Sequence, residues 1–293
     1  MKRIAVTGTT GFVGKRLMEY DKELFELVPL FLRLQDISLI DLSNTDVVVH
    51  LAGKAHQMEP IDDKIYFDIN YELTRSLAEL ALKQHVKQFI YISSTKVYGD
   101  NVKEVLNEQS VCTPSDAYGA SKLKAEKYLL GLQSPTFKVA IVRPPLVYGP
   151  EVKGNMFRLL HLSNKNYPLP FGKSTNLRSI VYLDNLIELI NTIIKSEATG
   201  IFVAGDKEPV GTDKLIQMIR NELGIKKGLI SMPGFLRRVI KNMKPGLYIR
   251  LFGSFVVDSH NTNQQLNFVP PYSTEFGVGQ MVKWFKETQD KKK

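Results

Sequence analysis

Three glycines that follow the first apolar segment constrain the fold of this chain more than any other feature. Residues 4–7 have the pattern of a buried strand, and residues 7–14 read TGTTGFVG. Gly8, Gly11 and Gly14 thus stand between the strand and apolar residues at helical spacing. Glycines here allow a tight turn and a close approach of the backbone, and the N–H groups that start the helix can bind a pyrophosphate. The sequence therefore predicts a dinucleotide-binding strand–turn–helix unit.

Apolar segments then alternate with helical patterns. Residues 47–51, 89–92 and 139–142 have the pattern of buried strands, residues 117–130 that of a helix, and residues 37–42 form a shorter candidate strand. Strands that are apolar throughout and separated by helices predict a parallel sheet covered on both faces. The predicted fold class is α/β, a Rossmann-type doubly wound parallel sheet that binds ligands at the carboxyl ends of its strands.

The pattern loosens after about residue 150, where prolines and loops separate shorter helical runs such as 212–223. We expect residues 1–150 to form an NAD(P)-binding domain. Residues 151–293 are expected to form mainly a smaller C-terminal substrate-binding portion, interleaved with the first domain. Part of the segment 175–205 is expected to return to the sheet.

The composition excludes several classes of protein. Hydrophobic residues make up 43% and charged residues 24% of the chain, which is ordinary for a globular protein. The single cysteine, Cys112, excludes a disulfide scaffold and a cysteine-based metal site, and the five histidines show no ligand spacing, so no metal is predicted. No apolar run approaches the ~18–20 residues that span a bilayer, so we expect no integral membrane segment and a cytoplasmic location.

The chain is basic, with 39 lysines and arginines against 30 acidic residues and a net charge of +9. Such a charge suits nucleic acid, an acidic membrane surface or an anionic small substrate. A nucleic-acid-binding protein would cluster its cations with aromatic residues on one element, whereas here they are scattered. The densest stretch, 237–250, is interpreted as a solvated face and the tail 291–293 as frayed, so no nucleic-acid partner is expected.

A tyrosine and a lysine lie four residues apart in the predicted helix at 117–130. Tyr118 and Lys122 therefore share one helix face, and the preceding strand ends at Ser93 and Ser94, so that a hydroxyl and a phenol can meet above the sheet. A phenol with a pKa near ~10 is a poor base at neutral pH. A neighbouring ammonium and a positive nicotinamide would favour the phenolate. The alternative, a packed tyrosine and a solvated lysine, is the weaker interpretation beside the glycine turn.

The motifs together resemble those of the extended short-chain dehydrogenase/reductases, the nucleotide-sugar epimerase/dehydratase superfamily. They occur in that family's order: TGTTGFVG, HLAG (50–53), Asn70 ahead of a helix, YISSTKVYG (91–99), YGASK (118–122) and VRPPLVYGP (142–150). The resemblance implies that Ser94 is the catalytic hydroxyl, Tyr118 the acid/base, and Lys122 the ribose-binding partner that lowers the pKa of the tyrosine. The implied cofactor contacts are Gly8, Gly11, Phe12, Val13, Gly14, Leu51, Ala52, Gly53, Asn70, Tyr118 and Lys122.

The residue that closes the second strand selects between the two nicotinamide dinucleotides, because an acid there binds the ribose 2′-OH and an arginine suits a 2′-phosphate. Counting on from Gly14, this position falls at Arg33 and has no acid. Arg33 favours NADP as the cofactor. NAD stays open, since a surface arginine at a strand end is the alternative. Asp36 and Asp41 compete as contacts on the adenine side.

The resemblance also narrows the reaction. In the 4,6-dehydratases an Asp-Glu pair follows the catalytic hydroxyl, whereas Thr95 and Lys96 follow it here, so dehydration is disfavoured. Longer stretches resemble a branch from bacterial O-antigen and capsule loci that is similar to UDP-glucose 4-epimerase. That branch includes reductases of UDP-4-keto-6-deoxy-N-acetylglucosamine, which share a lysine at the position of Lys96. The leading expectation is thus an NAD(P)-dependent 4-ketoreductase of a UDP-4-keto-6-deoxy-sugar in surface polysaccharide biosynthesis.

Substrate contacts and alternatives follow from the same resemblance. Asn155 and Arg178 match residues that contact the sugar diphosphate, Lys96 is a further substrate contact, and Arg250 is a second candidate for the phosphate or ribose. The expected partner is a UDP-hexose, and relatives often form homodimers, so a homodimer is expected. The alternative function is a UDP-sugar 4-epimerase, and the outside alternative is a non-catalytic NADP-binding sensor.

Overall fold

The computed structural model describes residues 1–20, 23–32, 37–55, 61–100, 104–243 and 245–290. Within these ranges the side chains of five residues are not described, namely Leu236, Arg237, Pro245, Leu247 and Arg250. No helix of the described part is long and apolar enough to cross a membrane.

The described strands and helices alternate along the first half of the chain. The strands are β1 (Arg3–Thr7), β2 (Glu26–Leu30), β3 (Val47–His50), β4 (Gln88–Ile92), β5 (Lys138–Arg143), β6 (Leu146–Tyr148), β7 (Leu169–Gly172), β8 (Leu177–Arg178), β9 (Ile180–Tyr182), β10 (Gly200–Val203), β11 (Val210–Gly211) and β12 (Leu229–Ser231). The α-helices are α1 (Phe12–Tyr20), α2 (Asp63–Phe67), α3 (Leu73–Lys83), α4 (Ala117–Leu132), α5 (Gly154–Ser163), α6 (Leu183–Ser196), α7 (Thr212–Leu223), α8 (Gly234–Met243), α9 (Pro245–Phe252), α10 (His260–Leu266) and α11 (Thr274–Asp290).

Six strands form one sheet in the order β10-β5-β4-β3-β1-β2, and every pairing in it is parallel. Alternate residues of each strand enter different cores, so that Ile4 and Val6 of β1 pack on one face and Ala5 on the other. Helices α1 and α6 cover the first face, and α3 and α4 cover the second. This confirms the predicted Rossmann-type doubly wound sheet.

The strand predicted at 37–42 is wrong, because this segment contains a 3₁₀-helical turn, Ile37–Leu39. Its backbone polar groups do not need a neighbouring strand. The carboxamide of Gln84 accepts the N–H of Leu42 at 2.6 Å and donates to the carbonyl of Ile40 at 2.9 Å. The apolar side chains of Ile40 and Leu42 are still buried, beneath α3. The pattern correctly predicted burial but not the backbone conformation.

The chain returns to the main sheet after residue 150. Helix α6 packs beside α1, and β10 pairs with β5 at the far edge. Three two-stranded sheets, β6 with β9, β7 with β12 and β8 with β11, lie outside the main sheet. The division of the chain into a cofactor portion, 1–150, and a mainly substrate-binding portion, 151–293, stays a prediction.

A buried ion pair joins β5 to α4. The side chains of Arg143 and Glu126 are 3% and 1% exposed, and Arg143 Nη2 lies 2.5 Å from Glu126 Oε2. Arg143 also donates to the hydroxyl of Tyr98 at 2.9 Å. Two buried charges are tolerated in a core only when each has a partner. The pair therefore fixes α4 against the sheet.

Removing one member of this pair should destabilise the protein strongly. In Glu126→Ala the guanidinium of Arg143 stays buried without its carboxylate, so we expect the free energy of unfolding in urea to fall by about 3–5 kcal/mol. The matched control is Glu72→Ala, which breaks an exposed pair with Arg75 and should cost only about 0–1 kcal/mol. Equal losses in the two variants would contradict the structural role of the buried pair.

Candidate active site

The residues singled out in the sequence meet at the carboxyl edge of the main sheet. Strand β1 continues into the glycine turn, β3 into residues 51–53, and β4 into Ser93 and Ser94. The sheet order places β2 on one side of β1 and β3 on the other, so the chain changes direction between these strands. Ligands of open α/β sheets bind at such a switch point. The site is thus where the fold leads one to expect it.

The glycine turn packs so closely on itself and on the residues that follow β3 that two of its positions exclude any side chain. Gly8 has a φ of +69°, and a Cβ there would lie 2.6 Å from the backbone nitrogen of Ala52. A Cβ on Gly14 would lie 2.2 Å from the carbonyl oxygen of Gly8. This packing places the first turn of α1, with Phe12 and Val13, at the carboxyl edge. A helix N-terminus in this position is suited to a phosphate group.

Beneath the turn, a histidine is held in one tautomer by a chain of hydrogen bonds. Thr7 Oγ1 accepts the N–H groups of Leu51 and Ala52 at 3.1 and 3.0 Å, so its own proton goes to His50 Nδ1 at 2.7 Å. The proton of the imidazole is then on Nε2, which donates to Thr74 Oγ1 at 2.9 Å. Burial, assisted by the charge of Lys122, lowers the pKa of His50 to about 3. His50 is therefore neutral at physiological pH.

The chain of hydrogen bonds continues into a π-helical turn, Asp68–Glu72, between α2 and α3. Thr74 donates to the carbonyl of Asn70 at 2.9 Å. The Asn70 side chain is buried, accepts the N–H of Lys54 at 2.8 Å and donates to Ser121 Oγ at 3.1 Å. The wider π-turn is a frequent feature of functional sites in helices. Here it directs a carboxamide toward α4.

Lys122 of α4 is buried with its ammonium at the carboxyl edge. Its Nζ donates to the carbonyl of Ile92 at 2.9 Å and lies 4.5 Å from the centre of the Tyr91 ring. A Cβ on Gly53 would lie 3.2 Å from this nitrogen and 2.9 Å from Asn70 Oδ1. Burial lowers the pKa of Lys122 to about 8, and Glu126 partly opposes the change. The ammonium is thus partly desolvated beside the end of β3.

Tyr118 and Ser94 are in contact, as the sequence predicts. Ser94 begins the 3₁₀ turn Thr95–Tyr98 and accepts the N–H of Lys96 at 3.2 Å. Burial raises the pKa of Tyr118, and a hydrogen bond between its hydroxyl and that of Ser94 opposes the rise. The phenol therefore keeps its proton at neutral pH.

The structure places Lys96 in a network of acids at the start of α4. Its ammonium pairs with Asp100 and lies 3.5 Å from Asp116 Oδ2, and Asp116 caps α4 by accepting the N–H of Gly119 at 2.7 Å. Ser115 donates to Asp100 at 2.8 Å. The charge of Lys96 is thus balanced by two carboxylates, and its side chain is 29% exposed.

The predicted substrate residues lie on separate elements. Arg178, in β8, donates through Nη1 to the carbonyls of Ile249 and Gly253 at 3.2 and 3.3 Å. Burial lowers its pKa, and the nearby Asp100 opposes this, so Arg178 and Lys96 approach the same acid. Asn155 is exposed on the first turn of α5.

Several predicted contacts cannot be placed. Arg33 and Asp36 lie outside the described residues, as does the side chain of Arg250, although its backbone belongs to α9. Asp41 is exposed, and its Oδ1 accepts the N–H of Ser43 at 2.8 Å.

The residues present fit a dinucleotide. The close glycine packing keeps side chains away from the N-terminus of α1, and the Lys122 ammonium is available beside Gly53 for a hydroxyl group. In addition, the hydroxyl of Ser93 is buried at the end of β4 without a hydrogen-bond partner among the described residues.

No group of three potential metal-binding side chains exists in the described ranges.

Sequence reasoning missed the support beneath the site. From the sequence, His50 is only one of five histidines without ligand spacing, and no role is predicted for Thr7, Thr74 or Ser121. One sequence signal for this support was available. Thr7 and His50 are polar residues that each follow a run of three apolar strand residues. Buried polar groups need partners, so two polar strand ends on adjacent strands suggest a mutual hydrogen bond.

Comparisons with known proteins point to one family for the chain. Residues 4–205 match the family model described as "NAD dependent epimerase/dehydratase family". A UDP-glucose 4-epimerase of Vibrio cholerae is 33% identical over 99% of this chain and 97% of that protein. An N-acetyl-alpha-D-glucosaminyl-diphospho-ditrans,octacis-undecaprenol 4-epimerase of Escherichia coli O157:H7 is 29% identical over 78% of this chain and 75% of its own length.

A solved structure shares the fold along the whole chain. RMD from Pseudomonas aeruginosa, complexed with NADPH, superposes with a TM-score of 0.80 at 18% identity, over 97% of this chain and 100% of that one.

The tautomer and charge of His50 can be tested directly. Because its pKa is about 3, we expect the nitrogen-15 shifts of the labelled imidazole to show a bare Nδ1 and a protonated Nε2, unchanged from pH 8 to pH 5. The unfolded chain binds more protons than the folded one between pH 6.5 and 3, so stability should fall as the pH is lowered, by about 2 kcal/mol from this group between pH 7 and 5. A histidine that titrates near pH 6.5 would contradict the network.

Proposed function

The chain belongs to the NAD dependent epimerase/dehydratase family, and from this premise we propose that it is an oxidoreductase at C4 of a UDP-linked hexose. The leading reaction is reduction of a UDP-4-keto-6-deoxy-sugar to the 4-hydroxy sugar. We further propose that residues 1–150 mainly hold the cofactor and residues 151–293 mainly hold the sugar nucleotide.

The meeting of Ser94, Tyr118 and Lys122 at the carboxyl edge carries this proposal. Ser94 lies in the turn after β4, Tyr118 and Lys122 lie in α4, and Ser94 and Tyr118 share a hydrogen bond. A hydroxyl, a protonated phenol and a buried ammonium are the groups needed to hold a carbonyl oxygen and to protonate it. Proton transfer from a positioned side chain contributes about 10²–10⁴-fold to a rate.

Each residue has a separate part in the reaction. When bound at the glycine turn, a nicotinamide dinucleotide would supply the hydride for C4. Ser94 holds the C4 oxygen by a hydrogen bond, and Tyr118 gives that oxygen its phenolic proton. Lys122 keeps a positive charge in the site, which stabilises the phenolate left on Tyr118. Asn70 and Ser121 hold α4 in register with the end of β3.

The substrate diphosphate is assigned to Arg178, supported by Asn155. A guanidinium meets phosphate oxygens in bidentate fashion, and Arg178 is held by bonds from its Nη1 to two backbone carbonyls. Those bonds also fix the direction of the side chain. Lys96, which pairs with Asp100, is proposed as a further contact with the substrate. Arg250 is kept as a second phosphate contact on the sequence alone.

A 4-epimerase is the second candidate, favoured by the full-length relative from Vibrio cholerae. The same residues serve it, with Tyr118 first removing the proton of the 4-OH group. Reduction is placed first because Lys96 stands where reductases of the resembled branch share a lysine. NADP is the proposed cofactor on the strength of Arg33, with NAD as the alternative.

The proposal predicts that purified protein oxidises NADPH when given UDP-4-keto-6-deoxy-N-acetylglucosamine, followed by absorbance at 340 nm in parallel with NADH. In Tyr118→Phe the C4 oxygen loses its proton donor, so kcat should fall by about 10²–10⁴-fold with a small change in KM. Tyr128→Phe is the matched control, since that hydroxyl pairs with Glu79 on the outer side of α4, and it should keep full activity.

Other outcomes separate the candidates. Inversion of UDP-glucose or UDP-N-acetylglucosamine at C4 without net NADPH loss would favour the epimerase over the reductase. If the protein binds NADPH but catalyses neither reaction, and Tyr118→Phe behaves as the unchanged protein does, the proposed enzyme activity is wrong. That result would favour the non-catalytic NADP-binding sensor.

A further inference from the structure

The proposed reaction does not use a strongly basic segment in the second half of the chain. Between Glu222 and Asp258 stand seven lysines and arginines and no acidic residue, in a chain with a net charge of +9. This segment contains β12, α8 and α9. Its sequence alone is interpreted as a solvated face, but its exposed side chains are not only charged.

Helix α8 presents a row of apolar side chains to solvent. Phe235, Val239 and Met243 are 69%, 46% and 76% exposed. Their spacing of four residues places them along one side of the helix. Ile230, in β12 shortly before the helix, is also 54% exposed. Such a row on a protein surface marks an interaction site.

Positively charged side chains are exposed on the same helix as the apolar row and shortly before it. Arg238 and Lys241 are exposed on α8 itself, and Lys226 and Lys227 are exposed just before β12. A short helix that combines bulky apolar residues with lysine and arginine has the composition of helices that lie in the headgroup region of a bilayer. Anionic lipids attract each such cation toward the surface.

Helix α9 contacts α8, with Lys241 Nζ 5.9 Å from the centre of the Tyr248 ring, and the outer row belongs to none of the apolar clusters of the described residues. Phe252 of α9 stacks on Phe171 at 5.9 Å between ring centres, and Leu251 packs in the same apolar cluster. The carbonyl of Ile249 accepts from Arg178. The α8 face is therefore attached to a fixed part of the structure, and α9 links it to the residue assigned to the substrate diphosphate.

We propose that the outer face of α8, defined by Phe235, Val239 and Met243 with Arg238 and Lys241, binds the surface of an anionic lipid bilayer. The apolar row enters the boundary between headgroups and acyl chains, and the cations contact the headgroups. A second copy of the chain fits less well, because pairing the face with itself would bring like charges together. Nucleic acid would use the cations but not the apolar row. This inference goes beyond the proposed reaction and does not depend on it.

The test is co-sedimentation of the full chain with sucrose-loaded vesicles at physiological salt. Vesicles of phosphatidylcholine with a quarter phosphatidylserine should bind the protein at least about tenfold more tightly than pure phosphatidylcholine. The triple variant Phe235→Ser/Val239→Ser/Met243→Ser should lose about tenfold in binding or more, as should Arg238→Glu/Lys241→Glu.

The matched control is Leu39→Ser/Val111→Ser/Val269→Ser, which removes three apolar side chains that are 79%, 80% and 75% exposed elsewhere and should bind as the unchanged protein does. All variants should keep the same thermal unfolding midpoint and the same turnover of soluble sugar nucleotide.

Three results would overturn the proposal. If the triple variant still binds the vesicles, the attraction to the lipid comes from the scattered cations or from the tail at 291–293. A dimer in sedimentation velocity that only the triple variant breaks, without vesicle binding, would assign the face to a second copy. Retention on heparin without vesicle binding would assign the cations to a polyanion. Failure of this test leaves the C4 reaction untouched, because catalysis is measured without lipid.

Discussion

The candidate site depends on a buried chain of hydrogen bonds that begins at Thr7 and ends at the backbone of Tyr118. It passes through His50, Thr74, Asn70 and Ser121, whose hydroxyl donates to the Tyr118 carbonyl at 2.8 Å. These hydrogen bonds join the glycine turn, β3, the π-turn and α4, which are separate in sequence. Because each buried donor has one acceptor, loss of any member leaves an unsatisfied polar group. The position of the glycine turn is thereby linked to the position of Tyr118.

Much of the scaffold follows from local patterns. The apolar runs that became β3, β4 and β5 are buried on both faces of a parallel sheet, which is the situation in which a strand has no polar alternation. Helix α7, predicted at 212–223, has those bounds in the structure. The meeting of a hydroxyl after β4 with the phenol of Tyr118 followed from the predicted sheet, since a strand end and a helix start converge on one edge. The choice of Ser94 over Ser93 came from the family resemblance.

What the sequence could not predict depends on distant partners. The segment at 37–42 is apolar, but Gln84 satisfies its backbone and removes the need for strand pairing. The tautomer of His50 depends on how many N–H groups reach Thr7, which only the fold determines. The same limit applies to α8, where the sequence shows charge and apolarity together but not which side is exposed.

Isotope transfer would test the central claim, oxidoreduction at C4, most directly. The protein would be given NADPH carrying deuterium at both positions of nicotinamide C4, together with UDP-4-keto-6-deoxy-N-acetylglucosamine, and the sugar product would be studied by NMR. The account predicts deuterium bound to sugar C4 and at no other carbon. NADPH oxidation without deuterium at C4, or neither label transfer nor inversion at C4 of any UDP-hexose, would contradict it.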